Sequence, residues 1–254
     1  MKKVFKIIGS ILLTLIVLLV IFLGGAYVKY NEKKPVGVKG EKAEALAQKM
    51  MQAVNKTAWD STAIIAWTSR SGNSYVWDKQ RNLVQVSSKD SKVLLNVYKQ
   101  SGKVWDKQTE VTAADKVQKG VQKAYKAFIN DAFWLNPIVK IFDAGTERSL
   151  VTLADGREGL LVSYTSGGVT PGDTYLWLVD ANGMPTAWKL WVGILPLGGL
   201  EISWDNWITL PTGAKIATGH TIKSTSISTP ITNIVSAPDV KTLGFYSNLF
   251  VEIE

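Results

Sequence analysis

One histidine, His220 in the run ATGHTIKS, and no cysteine occur in the 254 residues, so nucleophilic or metal chemistry has few parts to draw on. Without cysteine there is no thiolate nucleophile, disulfide framework or thiolate metal site. A lone imidazole is a poor metal site, and a Ser-His-Asp triad would rest wholly on it. Ser163 and Ser166 flank a glycine-rich loop, but Gly-x-Ser-x-Gly is absent. The alternation around His220 reads as a strand, with the imidazole a polar strand residue. The best carboxylates for acid–base work are Asp143 and Glu147, beside Arg148 in FDAGTER, together with Asp173 and Asp205. Glycosidase chemistry needs two carboxyl groups at a fixed separation. Turn positions and a surface ion pair of Arg148 account for these residues more simply. No catalytic residue, metal ligand or cofactor is expected.

SYTSGGVTPGDTYLWLVDANGMP, Ser163 to Pro185, places four glycines and two prolines around a mostly apolar run. A phosphate loop would run from a strand through Gly-x-x-x-x-Gly-Lys-Ser/Thr or Gly-x-Gly-x-x-Gly into a helix. Neither pattern is present. TYLWLV is rich in β-favouring residues and leads into Asn182-Gly183, a hairpin turn signal. The loop therefore joins strand to strand, as the rim of an enclosure.

Ten tryptophans are the strongest compositional signal. They admit three uses: core packing, an exposed platform for sugar faces, or the lining of an apolar cavity. Trp188 and Trp191 have opposite parity on one strand, so both faces of that sheet are expected to be apolar. GILPLGGL, Gly193 to Leu200, combines Ile194, Leu195, Leu197 and Leu200 with a proline and glycines that deny it regular ladder geometry. Such a loop fits the mouth of an apolar pocket, or lipid.

The elements that must position these residues begin with an uncharged apolar run, Ile7 to Val28, long enough to cross a ~30 Å hydrocarbon core. Gly24-Gly25-Ala26 offers a signal-peptidase site, but the apolar core is longer than the ~7–15 residues of a cleavable signal. An uncleaved anchor over residues 1–30 is expected, then a linker over 31–39 and one domain over 40–254. The body is expected outside the inner membrane, in the periplasm, because long domains translocate largely regardless of flanking charge. Setting aside the three lysines that precede the run leaves 26 basic against 21 acidic residues. The surplus is mild and scattered, and with no nucleic-acid motif it indicates no nucleic-acid partner.

Residues 40 to 55 are apolar at three- and four-residue steps, predicting an amphipathic helix. TAIIAWTS, NSYVWDKQ, NLVQVSS, KVLLNVYK and KVWD then predict an antiparallel meander. A second helix is expected over 112 to about 132, with Val117, Val121, Tyr125, Phe128 and Ala132 on one stripe and Thr112 and Asp115 as a capping box. Three hairpins in series follow, turning at Asp155-Gly156, Asn182-Gly183 and PTGA. The tail after Pro230 reads as loop, with an edge strand near NLFVEIE.

This order of elements over roughly residues 40–230, with the hairpin YLWLVDANGMPTAWKLWV, resembles the lipoprotein-localisation carriers of Gram-negative envelopes. The outer-membrane receptor member needs an acylated cysteine, so this chain cannot be that member. The resemblance implies a mainly β (α+β) fold: an unclosed antiparallel half-barrel of about eleven strands with helices as a lid over an apolar cavity. It also implies a lipid or acylated ligand, and no residue is carried over from the family. Lining and lid are expected from Val121, Tyr125, Phe128, Trp177, Trp188, Trp191, Leu195 and Leu197. A glycan- or protein-binding module with outward tryptophans remains open beside it, and a hydrolase using the acidic residues is a third possibility.

Overall fold

The computed structural model describes residues 2–166, 170–244 and 249–253. Helix α1 (Lys2–Tyr30) holds one span, Ile11–Tyr30, that is long and apolar enough by composition to cross a membrane, with a mean hydropathy of 2.8. Asn31 and Glu32 begin an extended linker to α2 (Glu41–Ala53) and the short α3 (Lys56–Ser61). The break between these helices falls where the periodicity ends. Asn55 takes a left-handed conformation and its side-chain oxygen caps the Ala58 amide.

The meander forms as expected: β1 (Ile64–Thr68), β2 (Ser74–Asp78), β3 (Leu83–Ser87), β4 (Ser91–Asn96), β5 (Ser101–Asp106) and a short β6 (Thr109–Glu110). Helix α4 (Ala114–Leu135) follows, then a 3₁₀ turn over Pro137–Lys140. The expected capping box does not form. The cap position is Ala113, whose methyl group cannot accept a hydrogen bond, and Asp115 faces Lys119 instead.

The remaining strands are β7 (Thr146–Thr152), β8 (Glu158–Tyr164), β9 (Thr174–Val179), β10 (Pro185–Trp191), β11 (Leu200–Ser203), β12 (Asp205–Thr209), β13 (Lys215–Gly219), β14 (Thr221–Ile222), β15 (Ile227–Ser228) and β16 (Thr232–Ala237). They and the meander make three antiparallel sheets, none closed. The first runs β16-β1-β2-β3-β4-β5-β6, the second β15-β14-β11-β10-β9-β8-β7, and β12 pairs only with β13.

The fold is mainly β with helices on the sheets, but among the described residues sixteen strands in three sheets replace a single run of about eleven. Two events cause the difference. The third hairpin breaks at Trp204 and at His220, so β11 and β14 stay in the second sheet while β12 and β13 leave it. The tail, expected to be loop, supplies β16, which pairs with β1. NLFVEIE does not form the expected strand over its described residues. Leu249–Ile253 is turn, and Phe250 is buried with Val240 on the outer face of the first sheet.

Two cores lie under the helices. Val121, Ala124 and Phe128 of α4 pack on Trp67, Tyr75, Val84 and Leu95 of the first sheet. Ala43, Ala47 and Met50 of α2 pack with Ile138 and Ile141 on Leu160, Trp177, Trp188 and Ile202 of the second. Helix α4 has 22 residues, about 33 Å of axis, and so bridges both sheets. Its C-terminal Phe133 and Trp134 reach the second core.

Candidate ligand site

The densest collection of unusual side chains lies on the inner face of the second sheet. Trp177 and Trp188 are direct cross-strand partners on β9 and β10, with ring centroids 4.8 Å apart. Trp204, just past β11, closes on both at 5.1 and 5.0 Å. Tyr175 stacks on Trp188 at 4.6 Å. From above, Trp134 at the end of α4 meets Trp188 edge-on at 4.9 Å and lies parallel to Trp204 at 6.5 Å. Such tilted and offset pairs add ~0.5–1.5 kcal/mol each to the burial of their apolar area.

His220 completes the group, 4.4 Å from Trp204 and 5.8 Å from Trp134. It is fully buried, and that burial lowers its pKa to about 4 despite the nearby Ser203 carbonyl, so it is neutral at physiological pH. Its Nδ1 lies 3.3 Å from that carbonyl, which can only accept, so Nδ1 carries the proton. The Ser203 hydroxyl donates to Asp205 at 2.6 Å and not to the imidazole.

Within this apolar mass sit polar atoms with no protein partner. They are the indole nitrogens of Trp177, Trp188 and Trp204, His220 Nε2, the Tyr164 hydroxyl, and both amide atoms of Asn136 at the end of α4. Two others, on Trp67 and Ser236, complete the buried unpaired side-chain atoms among the described residues. Each such group costs ~1–3 kcal/mol when left unmade. Their concentration on one face is therefore a property of this site rather than a general looseness of the fold.

At the junction between the sheets the Arg70 guanidinium lies 4.0 Å over the Trp134 ring. The buried Asp131 carboxylate accepts from the Tyr75 hydroxyl at 2.7 Å, Ser71 Oγ at 2.9 Å and Asn130 Nδ2 at 2.9 Å. Burial, with Asp131 beside it, pushes the Tyr75 phenol far above its ordinary range, so it stays a donor.

The eight residues expected to line one cavity fall into four groups. Val121 and Phe128, with half-buried Tyr125, belong to the first core. Trp177 and Trp188 belong to the second. Trp191 packs on the opposite face of that sheet with Leu161, Leu176 and Leu178, so the parity of Trp188 and Trp191 does give two apolar faces. Leu195 is exposed and Leu197 half-buried in the loop after β10. In the rim loop SGGVTPGDT, residues 167–169 lie outside the described residues. Asp173, just past them, is buried and accepts from the Gly193 amide at 3.0 Å.

The acidic candidates are engaged separately. Asp143 pairs with Lys140 and Glu147 with Lys39. Arg148 grips Glu44 of α2 through Nε at 2.8 and 3.0 Å and donates to the Ile141 carbonyl at 2.8 Å. It is thus a link between helix and sheet rather than a free surface pair. No group of three or more potential metal ligands occurs among the described residues.

No sequence motif singles out Asp131 or Arg70, yet Asp131 carries a signal. The buried stripe of α4 reads Val121, Ala124, Phe128, Asp131, Leu135, and an acid on such a stripe demands a buried partner. Neither the protein-family models nor the curated proteins contain a match to this chain.

Proposed function

We propose that this is a single-pass inner-membrane protein of a bacterial envelope whose periplasmic β domain binds a lipid or acylated ligand on the helix-covered face of the second sheet. One observation carries it: a largely apolar aromatic surface that also holds several unpaired donors, the indole N–H groups of Trp177, Trp188 and Trp204 and the Tyr164 hydroxyl. An acyl ester or amide presents the matching chemistry, carbonyl acceptors at the head of a hydrocarbon chain. A chain of about sixteen carbons gains on the order of 13 kcal/mol on burial before ordering costs.

In the finer form of this proposal the sheets act as a half-barrel carrier with α2 and the end of α4 as lid. Helix side chains are in contact with the sheet across this interior. Entry of a ligand therefore requires outward movement of one of these helices. Arg148–Glu44 and the Lys49 ammonium on the Ala181 carbonyl, at 2.7 Å, are the polar ties that such movement would break. An outward tryptophan platform for glycans has less support, because all ten tryptophans are buried or half-buried.

The test is native mass spectrometry of the full chain released from detergent. A lipid adduct should persist after the micelle is stripped, and Trp134→Ala, which removes the half-buried ring over Trp188 and Trp204, should reduce it. A parent chain that retains no lipid under conditions where a lipoprotein carrier does would sink the proposal.

A further inference from the structure

The chain leaving α1 is bound at once to the loop after β10. The Asn31 side-chain oxygen accepts from the Gly198 amide at 2.8 Å, and the Glu32 amide donates to the Gly198 carbonyl at 2.9 Å. The Glu32 carbonyl accepts from Trp191 Nε1 at 2.8 Å, while its carboxylate holds the Lys189 ammonium at 2.7 and 2.8 Å. The Asn31 amide still bonds to the Tyr27 carbonyl, so the helix runs up to this contact with no flexible spacer.

The two glycines of the loop are explained by the same contact. A Cβ on Gly198 would lie 2.3 Å from the Trp191 ring, and one on Gly199, whose φ is +81°, would lie 2.5 Å from the Glu32 Cβ. The Gly199 amide returns to the Leu190 carbonyl at 2.9 Å, so residues 191–198 form an excursion closed at its base. At its tip Ile194 is 75% exposed and Leu195 39% exposed. No charged residue occurs from Leu190 to Leu200.

We infer that this tip is a second membrane contact: Ile194 and Leu195 enter the headgroup–acyl boundary of the same bilayer that α1 crosses, seating the edge of the second sheet on the membrane. The inference rests on α1 spanning the bilayer, as proposed above. The span Ile11–Tyr30 has 20 residues, about 30 Å of helix, so its C-terminal end lies at the interface. Tyr27, Lys29 and Tyr30 supply the aromatic and basic residues usual at that depth. A loop fastened one residue beyond Tyr30 therefore lies at the membrane surface, and an uncharged apolar tip there finds hydrocarbon rather than water. The lipid-facing occupant is fixed by this continuity with α1. Seated there, the domain would present its second sheet, and any ligand it holds, directly to the bilayer.

The chain has no cysteine, so single-cysteine variants need no background substitutions. Ile194→Cys, Leu195→Cys and, as control, Tyr98→Cys at the exposed β4–β5 turn are labelled with a polarity-sensitive fluorophore. The full chain is reconstituted in vesicles of phosphatidylethanolamine and phosphatidylglycerol, with or without lipids carrying a shallow nitroxide quencher. Labels at 194 and 195 should shift to the blue and lose most of their emission to the quencher, while the label at 98 keeps its aqueous spectrum. Aqueous spectra at 194 and 195 in protein that floats with the vesicles and resists alkaline extraction overturn the inference and leave the anchor intact. Equal quenching at all three positions also overturns it, since it would mean indiscriminate adsorption. Protein that does not float, or that alkali extracts, removes the anchor itself and the inference with it.

Discussion

The Tyr75 hydroxyl, on β2 of the first sheet, donates at 2.7 Å to the Asp131 carboxylate of α4, and both groups are buried. The bond joins helix to sheet near the point where α4 passes from one core to the other. A hydrogen bond to a charged group contributes ~1.5–3 kcal/mol, and removing one partner adds the cost of leaving the other less satisfied. Tyr75→Phe and Asp131→Asn should therefore each lower the urea midpoint. Their double-mutant cycle should return a coupling of about 1–2 kcal/mol. Coupling near zero would show that Ser71 and Asn130 suffice for Asp131.

His220 gives a pH dependence of defined sign. Burial depresses its pKa from 6.5 to about 4, so between these values the unfolded chain binds a proton that the folded chain refuses. The stability its neutral form contributes is complete above about pH 6.5 and is lost as pH falls toward 4. At ~1.4 kcal/mol for each pH unit crossed between the two values, the whole loss is about 3 kcal/mol. His220→Gln, which cannot titrate, should flatten that part of the curve. Melting midpoints of parent and variant, recorded from pH 7.5 to 4, check this through their difference, which cancels the carboxylates common to both. Parallel curves would mean that His220 is more accessible than its packing against Trp204 implies. If the proposed lipid binding is right, the substitution should leave it intact, because the site's unpaired donors are the indole N–H groups and the Tyr164 hydroxyl.

Much of this architecture was legible because period and turn chemistry agreed. Five strands of the first sheet, both long body helices and the hairpins at Gly156 and Gly183 follow from alternation, three- and four-residue spacing, and glycines at positive φ. What was not legible depends on contacts distant in sequence. Nothing in EISWDNWITL says that the chain leaves one sheet at Trp204, because the bend is set by the indole packing on Trp177 and Trp188 from other strands. The strand β16 is weakly periodic by itself and is a strand because β1 offers it an open edge. The candidate site was half visible. Trp177 and Trp188 are neighbours by hairpin register alone, whereas Trp134, Asn136 and His220 join them only through the path of α4 and the split third hairpin.

Arg148 was legible as a paired residue but not as a tie. It holds α2 through both oxygens of Glu44 and stacks its guanidinium on Phe142 at 4.5 Å. Lysine cannot reproduce the stack, or reach Glu44 while also bonding to Ile141 and Thr146 as Nη1 does. Arg148→Lys should cost about 1–2 kcal/mol, within the range for one hydrogen bond to a charged group. Glu44→Gln should cost less than ~1 kcal/mol, because Glu44 is 44% exposed and Arg148 keeps its bonds to Ile141 and Thr146. If α2 is part of a lid, Arg148→Lys should also speed exchange of the Ala43 to Met50 amides. Unchanged exchange with lowered global stability would make the pair purely structural.

The orientation of the body rests on a balance that charge alone does not decide. Lys2, Lys3 and Lys6 precede the apolar run, and Lys29, Lys33, Lys34, Lys39 and Lys42 follow it. Counted simply, the excess on the C-terminal side favours a cytoplasmic body. Against this, a short basic start before a long apolar core is what an export apparatus accepts, and a domain of this length translocates with little regard to its flanking charge. The expected outcome is a periplasmic body on a retained anchor. Alkaline phosphatase fused after Glu254 should be active, and peptide mapping of the purified protein should recover the apolar run Ile7 to Val28. A Tyr98→Cys variant should react with a membrane-impermeant maleimide once the outer membrane is opened. Reaction only after the inner membrane is broken, together with an inactive phosphatase fusion and an active cytoplasmic reporter, would place the body inside the cell. The membrane seat of Ile194 would then face the cytoplasmic leaflet, and a carrier of periplasmic lipid would no longer be tenable.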